Sequence, residues 1–248
     1  MDSRKFGSAV LATVSIDDEN MWVYTQVASA LNKQNITRAT AMRGLLEQAL
    51  CILESVVEQS RPKTLAECYE AFPASLKAKL TLQNGRFYFA VVGTALEAEK
   101  WGERLEAGGH TFSKYGADVL SKPDYDEKHR LEAGKLYKLG LVLGTEIVED
   151  HNRSTVALQN LGRREVGEQA VTGLKAELAL LIREKFSNAE LEAMGLGYIA
   201  VLHEPIVDSG GYPCVLYSLR RDGSRVHALC APPGSQWRDN GAFACLAS

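Results

Sequence analysis

The strongest constraint on this fold is the spacing of short apolar runs between Gly195 and Ser248. Tyr198-Ile199-Ala200-Val201-Leu202 is bounded by Gly197 and Pro205, so length and flanking residues mark it as a buried strand. The turn-rich stretch Asp208-Ser209-Gly210-Gly211-Tyr212-Pro213 separates it from a second run, Cys214-Val215-Leu216-Tyr217-Ser218-Leu219. Arg221-Asp222-Gly223-Ser224 follows as a hairpin signal, because Asp-Gly readily takes the positive φ of tight primed turns. Arg225-Val226-His227-Ala228-Leu229-Cys230 is a third run, Pro232-Pro233-Gly234 turns the chain again, and Gly241 to Leu246 is the last. These runs specify a small sheet whose loops carry Arg, Ser, His, Asp and Asn.

Beyond Glu204 there is no Lys, Glu or Met, although Lys and Glu are frequent before it; the charges are Arg and Asp. Strands deplete Lys and Glu in any case. The genetic code offers a second explanation. Codons ending in a pyrimidine cannot encode Lys, Glu, Met, Gln or Trp, so a stretch rewritten from Asn codons by replacing adenines lacks all of them. Gln236 and Trp237 are the exceptions, and on this explanation they are fixed scaffold.

The order Tyr198-Ile199-Ala200-Val201-Leu202-His203-Glu204-Pro205-Ile206, Asp208-Ser209-Gly210, Arg221-Asp222-Gly223-Ser224 and Pro233-Gly234-Ser235-Gln236-Trp237-Arg238-Asp239-Asn240-Gly241-Ala242-Phe243 resembles the variable proteins of diversity-generating retroelements. The resemblance covers residues 195–248 best, residues 109–147 more weakly, and the first eighty not at all. In that family an error-prone reverse transcriptase acting at template adenines rewrites codons near the 3′ end of the target gene. The resemblance implies a C-type-lectin fold whose exposed face displays the varied residues and binds ligand. It implies fixed positions at Asp222, Gly223, Gly234, Trp237 and Phe243. Candidate displayed positions are Tyr217, Leu219, Arg220, Ser224, Val226, His227, Leu229, Cys230, Pro232, Ser235, Arg238, Asp239 and Asn240, each a type reachable from an Asn codon. Leu219, Val226 and Leu229 are also what a strand turns towards its core, so display and core both stay open for them. Tyr and Arg with small polar neighbours suit an evolved binding face.

At 248 residues the chain has room for one large or two modest domains with a proper core. A formal net charge of −3 gives no general attraction to nucleic acid or anionic membrane. Five cysteines without paired spacing argue against a disulfide framework and suit a reducing compartment. Met1 to Ser15 has no signal-peptide pattern and no apolar run approaches membrane-spanning length, so a soluble, cytoplasmic protein without membrane partners is expected.

Residues 1–62 read as a separate N-terminal helical unit. Val10 to Ile16 alternates weakly, Met21 to Leu31 has helical spacing, and Thr37 can cap a helix striped by Met42, Leu45, Leu46, Ala49, Leu50, Leu53, Val56 and Val57. Strand, helix, polar break and capped helix resemble ribbon-helix-helix DNA-binding proteins, with Thr13 and Ser15 as base readers. That makes a transcriptional regulator with a C-terminal ligand-sensing domain the alternative function, and nucleic acid its partner. The strand lacks the Lys or Arg that phosphate binding needs, which favours a helical hairpin that packs on the rest or forms a homo-oligomer.

Pro62 stops the helix in the polar stretch Gln59 to Thr64, so residues 63–83 read as linker and short helix, and 84–248 as the ligand-binding domain. There, Asn84-Gly85 is a turn, Arg86 to Val92 a strand, and Leu96 to Leu105 a helix with Trp101 inward, ended by Gly108-Gly109. Lys114 to Leu120 is a short helix, Pro123 to His129 a charged loop, and Lys135 to Leu143 a strand. Val171 to Phe186 is one amphipathic helix, and Ser187 caps another over Ala189–Met194.

No catalytic constellation emerges. Gly93-Thr94 lacks phosphate-loop glycine spacing, and the acids of Pro123–His129 lack EF-hand spacing. His203-Glu204 has no second His one helical turn away, and Cys214, Cys230, Cys245 and His227 show no close ligand spacing. The expectation is an α+β protein, non-enzymatic and without cofactor or metal, that binds an unknown protein or small molecule through its diversified C-terminal face.

Overall fold

The computed structural model describes residues 64–147, 149–166, 168–220, 223, 225–230 and 236–247. The chain divides into two units, Met1–Pro62 and Lys63–Ser248. The N-terminal helical unit, its ribbon-helix-helix alternative and its oligomer surface lie outside the described residues.

In chain order the second unit begins with α1 (Leu65–Ala71), α2 (Ala74–Lys77), β1 (Thr81–Gln83), β2 (Arg86–Val92), α3 (Ala98–Ala107), β3 (Thr111–Phe112), α4 (Lys114–Leu120), α5 (Pro123–Lys128) and β4 (Leu136–Leu143). Two 3-10 turns, Gly144–Glu146 and Asp150–Arg153, lead to α6 (Thr155–Val166), α7 (Gln169–Thr172), α8 (Glu177–Lys185) and α9 (Asn188–Ala193). The chain then runs through β5 (Tyr198–Val201), β6 (Ile206–Val207), β7 (Pro213–Leu219), β8 (Arg225–Cys230) and β9 (Gly241–Leu246). The strands form one mixed sheet in the order β1-β2-β4-β9-β5-β7-β8-β3, with β6 against β7. The class is therefore α+β, as expected, but the sheet is larger than the small antiparallel one anticipated. Two of its pairings, β5 with β9 and β3 with β8, are parallel.

Local chemistry explains most boundaries. Thr64 and Ser187 each close a capping box with the Glu three residues on, starting α1 and α9. Ser113 accepts from the Gly116 amide to start α4. Asn84-Gly85 turns β1 into β2, and Gly223, at φ +90°, sits in the turn between β7 and β8.

Three expectations change. Residues 123–128 are helix α5 rather than a loop, because Pro123 suits the first turn and Tyr125 is fully buried. The single helix expected over 171–186 is broken at Gly173 into α7 and α8, and a further helix, α6, precedes it. Residues 65–83 belong to the same core rather than to a linker: Phe72, Leu76 and Leu80 are buried, with Phe72 5.5 Å from Phe87 ring to ring.

Helices cover both sides of the sheet. On one side Ser218 Oγ donates to the Ala179 carbonyl of α8 at 2.8 Å, and Phe186 meets Phe89 edge-on at 5.1 Å. On the other, Cys245 Sγ lies against Gly162 of α6. The buried Glu177 carboxylate ties the β2–α3 and α5–β4 connections together, accepting from Thr94 N, Thr94 Oγ1 and Leu131 N, each at 2.7 Å.

Candidate functional site

In β7 and β8 the pleat sorts the candidate residues. Successive side chains of a strand point to opposite faces, and the register sets Val215 against Leu229, Tyr217 against His227 and Leu219 against Arg225. These six share one face. Leu216, Ser218, Val226 and Ala228 share the other, and all four are buried on the α8 side. Tyr217, Leu219, His227 and Leu229 are half-buried on the first face. Val226 is fully buried and is core, a correction to the displayed list that follows from its even position in the strand.

Residues 236–240 are anchored through Trp237. Its indole Nε1 donates to Thr155 Oγ1 at 3.1 Å and its backbone N–H to the Arg153 carbonyl at 2.9 Å. Buried Arg153 in turn donates from Nε to the Trp237 carbonyl at 3.1 Å and from Nη1 to the Ile147 carbonyl at 2.7 Å. A β-bridge joins Ser154 to Gln236. Tyr198 holds the next residues: its hydroxyl donates to the Arg238 carbonyl at 2.7 Å, and Gly197 N–H donates to the Asn240 carbonyl at 2.7 Å. Tyr198 occupies this position because its neighbour in the register is Gly241; a Cβ at residue 241 would overlap the tyrosine ring. Trp237 and Phe243 are buried.

These parts enclose a cavity of about 300 Å³ lined by Gly197, Tyr198, Tyr217, Leu219, Leu229, Gln236, Trp237, Arg238 and Asn240. Tyr198, Tyr217 and Trp237 are its ring walls. Tyr217 stands perpendicular to Trp237 at 5.7 Å, and Tyr198 meets Tyr217 at 5.7 Å and Trp237 at 5.5 Å. The row continues outward: His227 lies 5.2 Å from Tyr217, and Tyr115 of α4, 57% exposed, lies 5.8 Å from His227. Burial raises the pKa of both tyrosines, so their phenols stay neutral.

Five expected display residues, Tyr217, Leu219, Leu229, Arg238 and Asn240, thus meet around one cavity, with His227 beside it. Arg238 and Asp239 are exposed. Arg220 is half-buried, paired with Glu192 at 2.8 Å, and its N–H donates to the Gly197 carbonyl at 2.9 Å. Ser224, Pro232, Ser235, the Cys230 side chain, Asp222 and Gly234 lie outside the described parts. The sequence reading missed Tyr198, Gln236 and Tyr115 as members of this face. Alternation along Tyr198–Val201 could have found the first; nothing local marks Tyr115, which arrives through the parallel β3–β8 pairing and the helix after it.

Elsewhere the candidates disperse. No group of three or more His, Cys, Asp or Glu close enough to hold a metal occurs among the described residues. Cys214 is disulfide-bonded, while Cys68 and Cys245 are not. This departs from the expectation drawn from an odd cysteine count, because parity does not say which cysteines a fold brings together. Backbone register places Cys214 opposite Cys230.

His203 is structural: its Nε2 accepts from Leu216 N–H at 2.9 Å and its Nδ1 donates to the Glu204 carbonyl at 2.6 Å, which fixes a neutral tautomer. It bridges the gap in the ladder where β5 leaves β7 and β6 joins it. Burial lowers its pKa to about 3, and burial with Lys175 nearby lowers that of His129, 4.9 Å away ring to ring, to about 4. A larger cavity, about 520 Å³, lies between β4, α7 and Ala247; it contains none of the expected site residues.

Comparison with protein-family models, with curated proteins and with solved structures finds no match.

Proposed function

We propose that this protein is a non-enzymatic binding protein of the retroelement-diversified kind, and that residues 84–248 form a C-type-lectin-like domain. The observation that carries the reading is convergence. Tyr217 and Leu219 on β7, Leu229 on β8, and Arg238 and Asn240 beyond Trp237 are far apart in sequence yet line one cavity. A face that accepts many sequences must leave folding to residues behind it. The anchoring of Trp237 by Arg153 and Thr155 and the Tyr198 bond to the Arg238 backbone support such a division. Arg238 and Asn240 are held through their main-chain carbonyls, which leaves the exposed Arg238 and Asp239 side chains room to vary. The fold assignment is supported by the return of the last strand, β9, to a place between β4 and β5, with helices α6 to α9 inserted between those two strands.

The test is to sequence the DNA around the 3′ end of the gene. The expected result is a nearby imperfect copy of its last stretch, differing at adenines, beside a reverse transcriptase gene. An ordinary locus with no such copy would sink the diversification reading.

A further inference from the structure

The cavity beside Trp237 has a composition that selects among ligands. Its walls are three rings set at different angles, 34° for Tyr198–Trp237, 74° for Tyr198–Tyr217 and 90° for Tyr217–Trp237. The rings pack directly on one another, so a flat ring seated against the cluster meets the face of one and the edge of another, both favourable arrangements for aromatic groups. Leu219 and Leu229 add apolar surface, and Gln236 and Asn240 supply amides. A volume of about 300 Å³ is at the small end of ligand sites and suits one or two rings.

Charge narrows the choice further. Among the described residues of the lining, Arg238 is the one ionised side chain, and none of them is Asp, Glu or Lys. It is exposed and has no ion-pair partner among the described residues, whereas Arg220 is held by Glu192. The Arg238 guanidinium favours negative charge at Tyr217, and buried Arg153 favours it at Tyr198, where Asp239 opposes it. An aromatic cage built for an ammonium ion would not carry an unpaired guanidinium in its wall.

We propose that the cavity formed by Tyr198, Tyr217, Trp237 and Arg238 binds a planar ring bearing a negative charge, as in a compact aromatic carboxylic acid. This deepens the recognition reading and rests on it. Tyr198 and Trp237 are outside the displayed set, and Tyr217 and Arg238 are within it. The preference for a ring therefore belongs to the scaffold, and the preference for an anion belongs to this version of the face.

The experiment is calorimetric or ligand-observed NMR titration of the full chain with benzoate, cyclohexanecarboxylate, benzylammonium and benzyl alcohol. Benzoate is expected to bind at least about tenfold more tightly than the other three. Arg238→Gln should weaken benzoate by about tenfold or more and leave benzyl alcohol unchanged, since a charge-assisted contact is lost and the rings are not. Tyr217→Leu, which keeps an apolar side chain on the strand, should weaken both aromatic probes together. Equal binding of benzylammonium or cyclohexanecarboxylate, no benzoate binding by the folded chain, or no effect of Arg238→Gln would each overturn the proposal. A template copy found beside the gene together with any of these results would remove the ligand class while leaving the diversified face. Benzoate selectivity at an ordinary locus would do the reverse.

Discussion

The two sides of the β7–β8 pair share a backbone and differ in almost everything else. One side sets Leu216, Ser218, Val226 and Ala228 against α8 with no exposed member. The other sets Tyr217, Leu219, His227 and Leu229 under a loop held by Trp237 and open to a cavity. Parity along the strand is thus a better guide to tolerance than position, although Val215, on the same face as Tyr217, is itself buried. A single residue step moves a side chain from a place where shape is dictated to a place where it can vary.

The sharpest way to break this comparison is to put the same residue on both sides. Val226→Asp should cost about 4 kcal/mol or more, because it buries a carboxylate without a partner. His227→Asp, one step away, should stay within about 1 kcal/mol. Denaturant midpoints of the two variants measure the difference, and equal losses would end the distinction.

Next in size is the anchor. Trp237→Ala should destabilise by about 3 to 5 kcal/mol and disorder the segment that carries Arg238 to Asn240. Hydrogen exchange should then rise at residues 236–240 and remain unchanged in α8. Uniform loosening of the whole domain would mean that Trp237 is general core rather than the mount of residues 236–240.

Acid should act from the core side. His203 and His129 have folded pKa values lowered to about 3 and about 4, against 6.5 for the free side chain. The unfolded chain therefore binds more protons between those values, and stability is full above pH 6.5 and falls as pH drops through that window. Each imidazole contributes a slope approaching about 1.4 kcal/mol per pH unit near pH 5. His129→Asn should flatten the profile of midpoint against pH in wild-type comparison; an unaltered slope would assign acid sensitivity elsewhere. The smallest expected effect is at Leu229→Ser, half-buried on the open side, at about 1 kcal/mol or less, read by the same denaturation.

Much of this domain was legible in its sequence because the information was local. The runs at Tyr198, Cys214, Arg225 and Gly241 became β5, β7, β8 and β9, since short apolar stretches between turn residues have one sensible conformation. Ser187 with Glu190 announced its helix through backbone N–H groups that needed acceptors, whereas the Ser113 cap of α4 emerged only with the structure. Pro123 was misread because a helix of six residues shows too little periodicity to outweigh its charge, and its one inward residue, Tyr125, says nothing until a core surrounds it. The helix expected across Gly173 failed for the opposite reason: apolar spacing continued through a break that tertiary packing imposes.

The sequence by itself determined where the turns fell and which runs became strands; it marked Trp237 and Phe243 only through a resemblance, and both are buried. Only the tertiary structure decided that Val226 is core while His227 is open, because pleat parity has meaning only once a helix covers one side. It also decided that Tyr198 and Tyr115 join the face, because strand order and a helix after a parallel edge strand bring them there. Arg153 becomes a support for the Trp237 loop in the same way, across 84 positions of sequence. Local chemistry wrote the elements; long-range pairing chose their neighbours, and a site is a set of neighbours.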